Sequence, residues 1–376
     1  MAKITTIIDI GSNSMRMVVL KKSSRFAFNL INETKSRVKI SEGSYENDGY
    51  LQAKPMQRAY DSLRSFLSIS DALKSRKVIC VATSALRDAP NSKEFLSKIS
   101  KELKLNIKII DGVKEAYYGG VATLNLLHVD NFMTIDIGGG STEFCFIKQG
   151  KIEKSISLNI GTIRLKELYF NKNDIKGAKE YILNSINEIL DYTNDIPKTI
   201  VGIGGTIRAL SKIVMKKNNY PLDVIHGFEY KIENNQFIYD AILNAKNNSE
   251  LKEIGVKKDR FDTIQEGTFI FKTIVDTFNI KNVITSGAGV REGVFLTDLL
   301  RTSNHKFPHN FIPSVRSLLD RFEIDNKQSV YFGNNATKIF DALKPIHNID
   351  EKYKIHLVLA SKLHSIGVGL NFYNHT

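Results

Sequence analysis

The sequence has 376 residues and a mass of 42.4 kDa, which is more than one compact core normally holds and predicts at least two. Its 42% hydrophobic and 25% charged residues exclude a disordered or fibrous chain, and the lack of an N-terminal apolar region or a membrane-span-length run favours a cytoplasmic location. The net charge of +13 is concentrated in residues 1–100, where 17 Lys and Arg face 9 Asp and Glu, and this fits either a polyanionic partner or an ordinary solvated surface.

The N-terminal segment is echoed later in the chain. Thr6–Ser14 and Met133–Ser141 both contain D-I-G-x-x-S between two apolar runs, the outgoing runs being Met17–Leu20 and Phe144–Ile147. An apolar run that enters and leaves a glycine-containing turn is typical of a β-hairpin. The duplication therefore predicts two lobes of common design.

Between these two hairpins lie two segments with candidate functional residues. Val78–Ala82 is an apolar strand that opens into a loop carrying Arg87, which suits either bidentate phosphate binding or a surface pair with Asp88. Lys108–Ile110 is a predicted strand, followed by a helix whose first turn holds Glu115. A carboxylate there either complements the helix dipole or acts as a general base, and the residues alone leave both interpretations open.

The second half of the chain continues the α/β pattern. Thr199–Thr206 and Val283–Gly289 are predicted strand–turn–helix units, and apolar residues at spacings of three and four predict helices over Met56–Leu73 and Glu180–Leu190. The sequence therefore predicts α/β lobes in which hairpins and crossovers are mixed.

After residue 300 the pattern changes to a polar, proline-bearing linker over residues 301–313. Amphipathic helices are predicted at Ser314–Phe322, Gln328–Leu343 and Glu351–Gly367. The chain then stops at Asn374–Thr376 without a cap or closing helix, so we expect a shortened or naturally truncated helical unit.

The glycine turns are the predicted site of chemistry. Glycines let a backbone approach an anion and present N–H groups to it, and a neighbouring carboxylate can hold a hydrated divalent cation. Asp136 is therefore a metal candidate, and Glu143, at the start of the outgoing strand, could complete the metal or water site. The predicted phosphate cradle is Gly138, Gly139, Gly140 and Ser141. The opposing turn is Asp9 with Gly11, Ser12, Asn13 and Ser14.

Seven segments in series resemble the exopolyphosphatase/guanosine pentaphosphate phosphatase family of the actin, Hsp70 and sugar-kinase superfamily. They are IDIGSNSMRMVV, ATSALRDAPN, IDGVKEAYYGG, IDIGGGSTEF, SLNIGTIRL, GIGGTIRAL and SGAGVREGVF. The resemblance implies two actin-like, ribonuclease H-like lobes at 1–124 and 125–300 with a cleft between them. It also implies that residues 314–376 begin a degenerate, all-α HD-like segment, because Gln328 and Ser365 replace expected metal ligands and leave His364 a structural residue.

The resemblance also implies roles for individual residues. Glu115 would be the catalytic base, with Arg87 as its partner in catalysis and a clamp on the phosphates. Asp136 and Glu143 would hold Mg²⁺ or Mn²⁺, with Asp9 as a further metal candidate. The other implied phosphate contacts are Ser12, Asn13, Gly138, Gly139, Gly140 and Ser141. The implied contacts to a nucleoside or to further phosphates are Gly204, Gly205 and Arg208.

The implied activity is release of the terminal phosphate from inorganic polyphosphate or from pppGpp, which gives ppGpp. The implied partners are polyphosphate or a guanosine polyphosphate and a second copy of the chain in a homodimer, with no need for DNA, RNA or a membrane. Two alternatives stay open at this point: an ATP-dependent kinase or ATPase of the same superfamily, and a sensor that binds an alarmone or polyphosphate without cleaving it.

Overall fold

Two β-sheets with helices packed around them form the architecture of the protein. The computed structural model describes residues 3–193, 195–309 and 311–369. The strands are β1 (Ile4–Ile10), β2 (Met15–Lys22), β3 (Phe28–Ser36), β4 (Lys77–Ala82), β5 (Ile107–Ile109), β6 (Phe132–Ile137), β7 (Thr142–Lys148), β8 (Lys151–Leu158), β9 (Thr199–Ile203), β10 (Phe228–Lys231) and β11 (Asn282–Thr285).

The helices alternate with these strands and then continue alone to the end of the described chain. They are α1 (Ala53–Ala72), α2 (Ser84–Arg87), α3 (Ser92–Leu103), α4 (Gly112–Leu126), α5 (Thr162–Leu168), α6 (Ile175–Tyr192), α7 (Gly204–Lys217), α8 (Gln236–Asn244), α9 (Asn248–Ile254), α10 (Ile264–Phe278), α11 (Val290–Leu299), α12 (Pro313–Arg321), α13 (Asn326–His347) and α14 (Lys354–Leu363). Short 3₁₀ turns lie at Phe170–Lys172, Glu233–Asn235, Lys258–Arg260, Glu351–Tyr353 and His364–Gly369.

Both sheets are mixed, and each contains one of the predicted hairpins. The first has the order β3-β2-β1-β4-β5, with β4 and β5 parallel. The second has the order β10-β11-β9-β6-β7-β8, in which β6, β7 and β8 form an antiparallel meander while β9 runs parallel to β6 and β11. The predicted mixed α/β fold with two sheets and a helical C-terminal region is confirmed.

The period-two alternation of the second sheet separates its two faces. One face is a continuous apolar core against α6, α7 and α10, with Ile135, Phe144 and Ile156 buried in it. The opposite face packs on α4 and carries the polar residues Asp136 and Glu143, because side chains two residues apart share a face. The same alternation therefore buries the core and points two carboxylates toward one helix.

Glycines allow α4 to lie unusually close to that polar face. A Cβ on Gly120 would stand 2.3 Å from Cys145 Sγ, and a Cβ on Gly112 would stand 2.2 Å from Ser157 Oγ. On the other side of the helix, Gly293 of α11 packs directly against the backbone of α4. The helix is thus held between the sheet and α11 by contacts that only glycine permits.

The chain divides into two compact units. Of the described residues, the larger unit holds those within 6–18 and 33–306, and the smaller holds those within 3–5, 19–32 and 307–369. Within the smaller unit, α14 packs on α12 and α13. Phe26 makes edge contacts with Phe307 and Phe311, and Ser23 donates to Asp320.

The structure corrects two local predictions. Arg87 does not lie in a loop but ends the one-turn helix α2, which closes when the Arg87 amide donates to the Thr83 carbonyl. The helix predicted over Glu351–Gly367 is α14 flanked by 3₁₀ turns, which are frequent at helix ends, and glycines within the C-terminal turn disfavour its continuation as an α-helix. Asn374–Thr376 lie outside the described residues. None of the described helices combines the length and the apolar character that a membrane span requires.

Candidate active site

The two duplicated turns have the same local structure. In each, the amide of the first glycine donates to the carbonyl of the serine three residues later: Gly11 to Ser14 at 3.3 Å, and Gly138 to Ser141 at 2.9 Å. Both turns are four residues long and join two strands of a hairpin. The sequence echo therefore corresponds to a structural repeat. The residues that form these two hydrogen bonds, Gly11, Ser14, Gly138 and Ser141, all line one pocket within the larger unit.

Neighbouring backbone fixes the orientation of the peptide groups in these turns. The carbonyls of Ser12 and Asn13 accept from the amides of Ser41 and Lys39, and the Gly139 carbonyl accepts from α5. Because the carbonyl and the N–H of one planar trans peptide point in opposite directions, the amides that follow these carbonyls turn the other way. The amides of Asn13, Ser14 and Gly140 are thus turned away from these hydrogen bonds, an arrangement that anion-binding turns share.

The two turns approach each other closely. A Cβ on Gly139 would lie 2.7 Å from the Ser12 Cβ, and one on Gly140 would lie 2.7 Å from Ser84 Oγ. Ser12 Oγ in turn lies 3.1 Å from Ser84 Oγ. A larger residue at Gly139 would force the two turns apart, and one at Gly140 would collide with Ser84, so the structure brings the two predicted turns close together.

Asp136 and Glu143 form the centre of a polar row across the second sheet. Asp136 is the direct antiparallel partner of Glu143, which is the direct partner of Ser157. Directly opposed residues share a face with Cβ atoms about 5 Å apart, so the two carboxylates are neighbours. The Ser157 hydroxyl donates to Glu143 Oε1 at 2.8 Å and fixes one carboxylate oxygen.

Glu115 lies in the first turn of α4, which packs over this row. The helix is capped by Asp111, whose carboxylate accepts from the Lys114 amide, so its start is firmly placed. Arg87 Nη1 lies 3.4 Å from Glu115 Oε2 and also donates to the Ile110 carbonyl at 3.1 Å. The predicted base and the predicted arginine are therefore in contact.

Arg164, which the sequence analysis does not single out, ties the second turn to this pair. Its Nε donates to the Gly140 carbonyl at 2.8 Å, and its Nη2 lies 2.7 Å from Asp88 Oδ2. Asp88 Oδ1 is 3.5 Å from Arg87 Nε. A chain of charge contacts thus runs from the phosphate turn to Glu115.

Burial raises the pKa values of the four carboxyl groups gathered here, Asp9, Glu115, Asp136 and Glu143, and repulsion from neighbouring carboxylates adds to the shift at all but Asp136. Burial raises the pKa of Asp9 to about 6. The charge of Arg291 opposes this shift, and the charge of Asp136 adds to it. Burial likewise raises the pKa of Glu143 to about 8, with Asp136 adding repulsion. Burial, followed by repulsion from Glu143, holds the pKa of Glu115 well above its usual range. Carboxyl groups that raise one another's pKa values favour a cation among them.

An arginine cluster faces these carboxylates across the pocket. The arginines that line the pocket are Arg16, Arg208, Arg260 and Arg291. Burial lowers the pKa of Arg16, and the charge of Arg291 adds to this shift because both guanidinium groups line the same pocket. Arg291 is 5% exposed and lies 3.3 Å from the Glu33 carboxylate without forming a hydrogen bond to it. Such a cluster favours an anion with several charges.

Gly204 and Gly205 shape the junction between the two clusters. Gly204 has a φ of +73°, and a Cβ there would lie 2.0 Å from Asp136 Oδ1. A Cβ on Gly205 would lie 2.4 Å from the guanidinium of Arg260. Both predicted nucleoside contacts line the pocket, but Arg208 already donates to the carbonyls of Ser286 and Ala288, and burial lowers its pKa to about 10.

The fold brings the predicted site residues together around one pocket. Three of them do not line it. The predicted residues that line the pocket are Asp9, Ser12, Asn13, Glu115, Asp136, Gly138, Gly139, Ser141, Gly204, Gly205 and Arg208. Arg87 contacts Glu115 and Glu143 pairs with Asp136, both from behind the pocket wall, and Gly140 lies in the chain between the lining residues Gly139 and Ser141. Arg16, Arg260 and Arg291 also line the pocket, although none of them was predicted as a site residue. Arg16 and Arg291 each follow a glycine turn by a few residues, a signal that could have identified them, whereas Arg260 lies in a polar segment without any.

The carboxylates fit a magnesium ion in part. Within the described ranges, no three His, Cys, Asp or Glu side chains form a ready-made metal site. Mg²⁺, however, is commonly bound by one or two carboxylates together with water and substrate phosphates. Asp136 and Glu143, paired across two strands, supply such a donor set.

Comparison with known proteins places this geometry in a family. The chain matches the Ppx/GppA phosphatase family over residues 18–302. It is 31% identical over 296 residues to a bifunctional 3-dehydroquinate synthase/phosphatase of Fusobacterium nucleatum, an alignment that covers 74% of this chain and only 44% of that relative. It is also 26% identical to a guanosine-5'-triphosphate,3'-diphosphate pyrophosphatase of Aeromonas hydrophila, with 97% of this chain and 73% of the relative aligned.

Solved structures agree with this assignment. A Ppx/GppA family member from Aquifex aeolicus is 28% identical, with a TM-score of 0.66 over 81% of this chain and 99% of that one. An exopolyphosphatase from Cytophaga hutchinsonii, 20% identical, shares the fold with a TM-score of 0.73 over 81% of this chain and 100% of that one. With two sheets of actin-like design and the family's match across most of its length, the chain belongs to the Ppx/GppA phosphatase family.

Proposed function

We propose that this phosphatase is a Mg²⁺-dependent phosphoanhydride hydrolase that releases the terminal phosphate of inorganic polyphosphate or converts pppGpp to ppGpp. The observation that carries the proposal is the meeting, in one pocket, of two matched N–H-bearing turns, four arginines and buried carboxylates. The phosphatase and pyrophosphatase activities of the relatives support the same chemistry, and a homodimer stays a prediction.

Binding of the substrate is assigned to the turns and the arginines. The amides around Asn13 and Gly139 and the guanidinium groups of Arg16, Arg260 and Arg291 supply hydrogen-bond donors to several phosphate oxygens. These donors are held by packing before any substrate arrives. Preorganised donors stabilise the charge that develops on the phosphoryl oxygens during transfer.

Activation of water is assigned to Glu115. A general base works best when its pKa lies near the operating pH, and burial shifts the pKa of Glu115 in that direction. Arg87, at 3.4 Å, orients the carboxylate and keeps part of the charge balanced. Asp136 and Glu143 would hold Mg²⁺, which when bound neutralises phosphate charge and offsets their mutual repulsion.

A Glu115→Gln variant tests the proposal. We expect phosphate release from polyphosphate or pppGpp to fall by more than about a hundredfold while binding is retained, because the amide cannot accept the proton. The matched control is Glu94→Gln: Glu94 also lies in the first turn of a helix but is exposed and does not line the pocket, so its change tests the helix-dipole role alone. Equal losses in both variants would contradict the assignment.

The same assay on three substrates separates the alternatives. Polyphosphate, pppGpp and ATP are compared at equal concentration in Mg²⁺. A strong preference for ATP would indicate a kinase or ATPase instead, and tight binding of the first two without turnover would indicate a sensor.

A further inference from the structure

A tyrosine behind the pocket wall contacts both glycine turns of the candidate active site. Tyr45 lies in the segment of residues 39–50, between β3 and α1. The Ser41 amide donates to the Ser12 carbonyl at 3.2 Å, so this segment begins directly against the first turn. The backbone that leads to Tyr45 is therefore attached to one of the two turns.

A buried carboxylate attaches the same segment to the second turn. Glu167 of α5 is buried, and its two oxygens accept from the amides of Gly43 at 2.8 Å and Tyr45 at 2.9 Å. The Ile163 amide, in the same helix, donates to the Gly139 carbonyl at 2.8 Å. The backbone of Tyr45 is thus fixed relative to both turns.

The side chain of Tyr45 lies along the second turn and ends beside the first. The Arg164 guanidinium carbon is 4.5 Å from the centre of the Tyr45 ring, and Arg164 also donates to the Gly140 carbonyl. A Cβ built on Gly140 would stand 2.3 Å from the Tyr45 hydroxyl. That hydroxyl is hydrogen-bonded to the Ser12 hydroxyl, so Tyr45 bridges the two turns.

The Tyr45 hydroxyl has a proton to donate in this hydrogen bond. Burial raises the pKa of Tyr45 to about 12, against the opposing charge of Arg164, so the hydroxyl is uncharged at neutral pH. Ser12 is buried and lines the pocket, and its Oγ lies 3.1 Å from Ser84 Oγ. Because a hydroxyl donates one hydrogen bond and accepts two, Ser12 can accept from Tyr45 and Ser84 together and still donate to an anion in the pocket.

We infer that Tyr45 is a positioning residue of the candidate active site, whose hydroxyl donates to Ser12 Oγ and so leaves the Ser12 proton directed at a phosphate oxygen. The inference rests on the proposed function, which supplies the phosphate. Tyr45 does not line the pocket and therefore acts through Ser12. A hydroxyl that accepts a hydrogen bond is polarised and becomes a stronger donor, so the Tyr45 proton also strengthens the contact between Ser12 and the anion.

A double-mutant cycle separates this role from a general structural one. Binding of orthophosphate in Mg²⁺ is titrated for wild type, Tyr45→Phe, Ser12→Ala and the double variant, with Tyr50→Phe as the control. Orthophosphate is the product of the proposed reaction and is not cleaved further. Tyr45→Phe keeps the ring beside Arg164 and removes only the hydroxyl. Tyr50 belongs to the same segment but is 51% exposed and does not line the pocket.

We expect Tyr45→Phe to weaken orthophosphate binding by about three- to tenfold, as the loss of one hydrogen bond does, and Tyr50→Phe to leave it unchanged. In the Ser12→Ala background, Tyr45→Phe should change binding by less than about twofold, because the group through which Tyr45 acts is gone. Equal losses in both backgrounds, no loss in Tyr45→Phe, an equal loss in Tyr50→Phe, or wild-type protein that binds no orthophosphate would each overturn the inference.

Phosphate release from polyphosphate and pppGpp, measured on the same variants, keeps this result apart from the proposed function. Release by wild type without a binding loss in Tyr45→Phe overturns the positioning role and leaves the hydrolase proposal standing. The expected binding pattern without any release by wild type in Mg²⁺ supports the positioning role and contradicts the hydrolase proposal.

Discussion

Gly204 is required by two independent features of the site. Its φ of +73° lies in the left-handed region, which costs an L-residue with a side chain about 1–2 kcal/mol. In addition, any Cβ there would collide with the Asp136 carboxylate at 2.0 Å, and that carboxylate is held by the strand pairing of β6 and cannot retreat freely. Gly204 thus lets α7 begin directly against the predicted metal ligand.

We expect Gly204→Ala to lower activity by more than about a hundredfold and to destabilise the fold by more than the backbone penalty alone. Gly227→Ala is the matched control: Gly227 has a φ of +80°, and nothing lies within 4 Å of a Cβ built there. Phosphate release and urea unfolding are measured for both variants. If the two variants lose equal stability and activity, Asp136 is not constrained as described.

At the scale of elements, the placement of Glu115 depends on how closely α4 can approach the second sheet. A Cβ built on Gly120 would lie 2.3 Å from Cys145 Sγ, and one built on Gly293 would lie 1.9 Å from the Tyr118 carbonyl oxygen. Alanine normally stabilises a helix interior relative to glycine by about 1 kcal/mol. Here the tight contact opposes that preference, and we expect the free-energy cost of overpacking to exceed the gain in helix propensity.

We therefore expect Gly120→Ala to destabilise the protein by about 1–3 kcal/mol and to lower kcat, because α4 must move away and carry Glu115 with it. Cys145→Ala removes the clashing sulfur, so the double variant should recover part of both losses, with a coupling energy above about 0.5 kcal/mol. A double-mutant cycle by urea unfolding, with kcat measured in parallel, provides the test. Additive effects, or a Gly120→Ala protein more stable than wild type, would contradict this packing argument.

The elements also show what the sequence could and could not predict. The D-I-G-x-x-S turns and Glu115 were predictable because their signals are local: a glycine turn between apolar runs, and a carboxylate after a helix cap. Arg260 was not, since it enters the pocket only because Gly205 leaves room for its guanidinium, a contact between residues far apart in sequence. The set-back position of Arg87 likewise depends on tertiary contacts with Ile110 and Glu115.

For the whole molecule, buried carboxyl groups make stability depend on pH. The pKa is raised to about 6 at Asp9, to about 8 at Glu143 and to about 7 at Glu266, in each case chiefly by burial. A carboxyl group whose folded pKa exceeds its unfolded value stabilises the fold below the unfolded pKa, and this stability is lost as the pH rises through the folded pKa. The protein without metal should therefore lose stability between about pH 4 and pH 8.

Magnesium should counteract this loss, because a cation between Asp136 and Glu143 favours their ionised forms. We expect Mg²⁺ to raise the melting temperature more at pH 8 than at pH 5.5, since binding at the lower pH must first displace protons. Glu266 supplies the control, because it is buried but does not line the pocket. Glu266→Gln should flatten the pH dependence of stability without changing the stabilisation by Mg²⁺. Glu143→Gln should diminish the stabilisation by Mg²⁺. A Mg²⁺-induced shift that is independent of pH, or one that persists in Glu143→Gln, would show that the ion binds elsewhere.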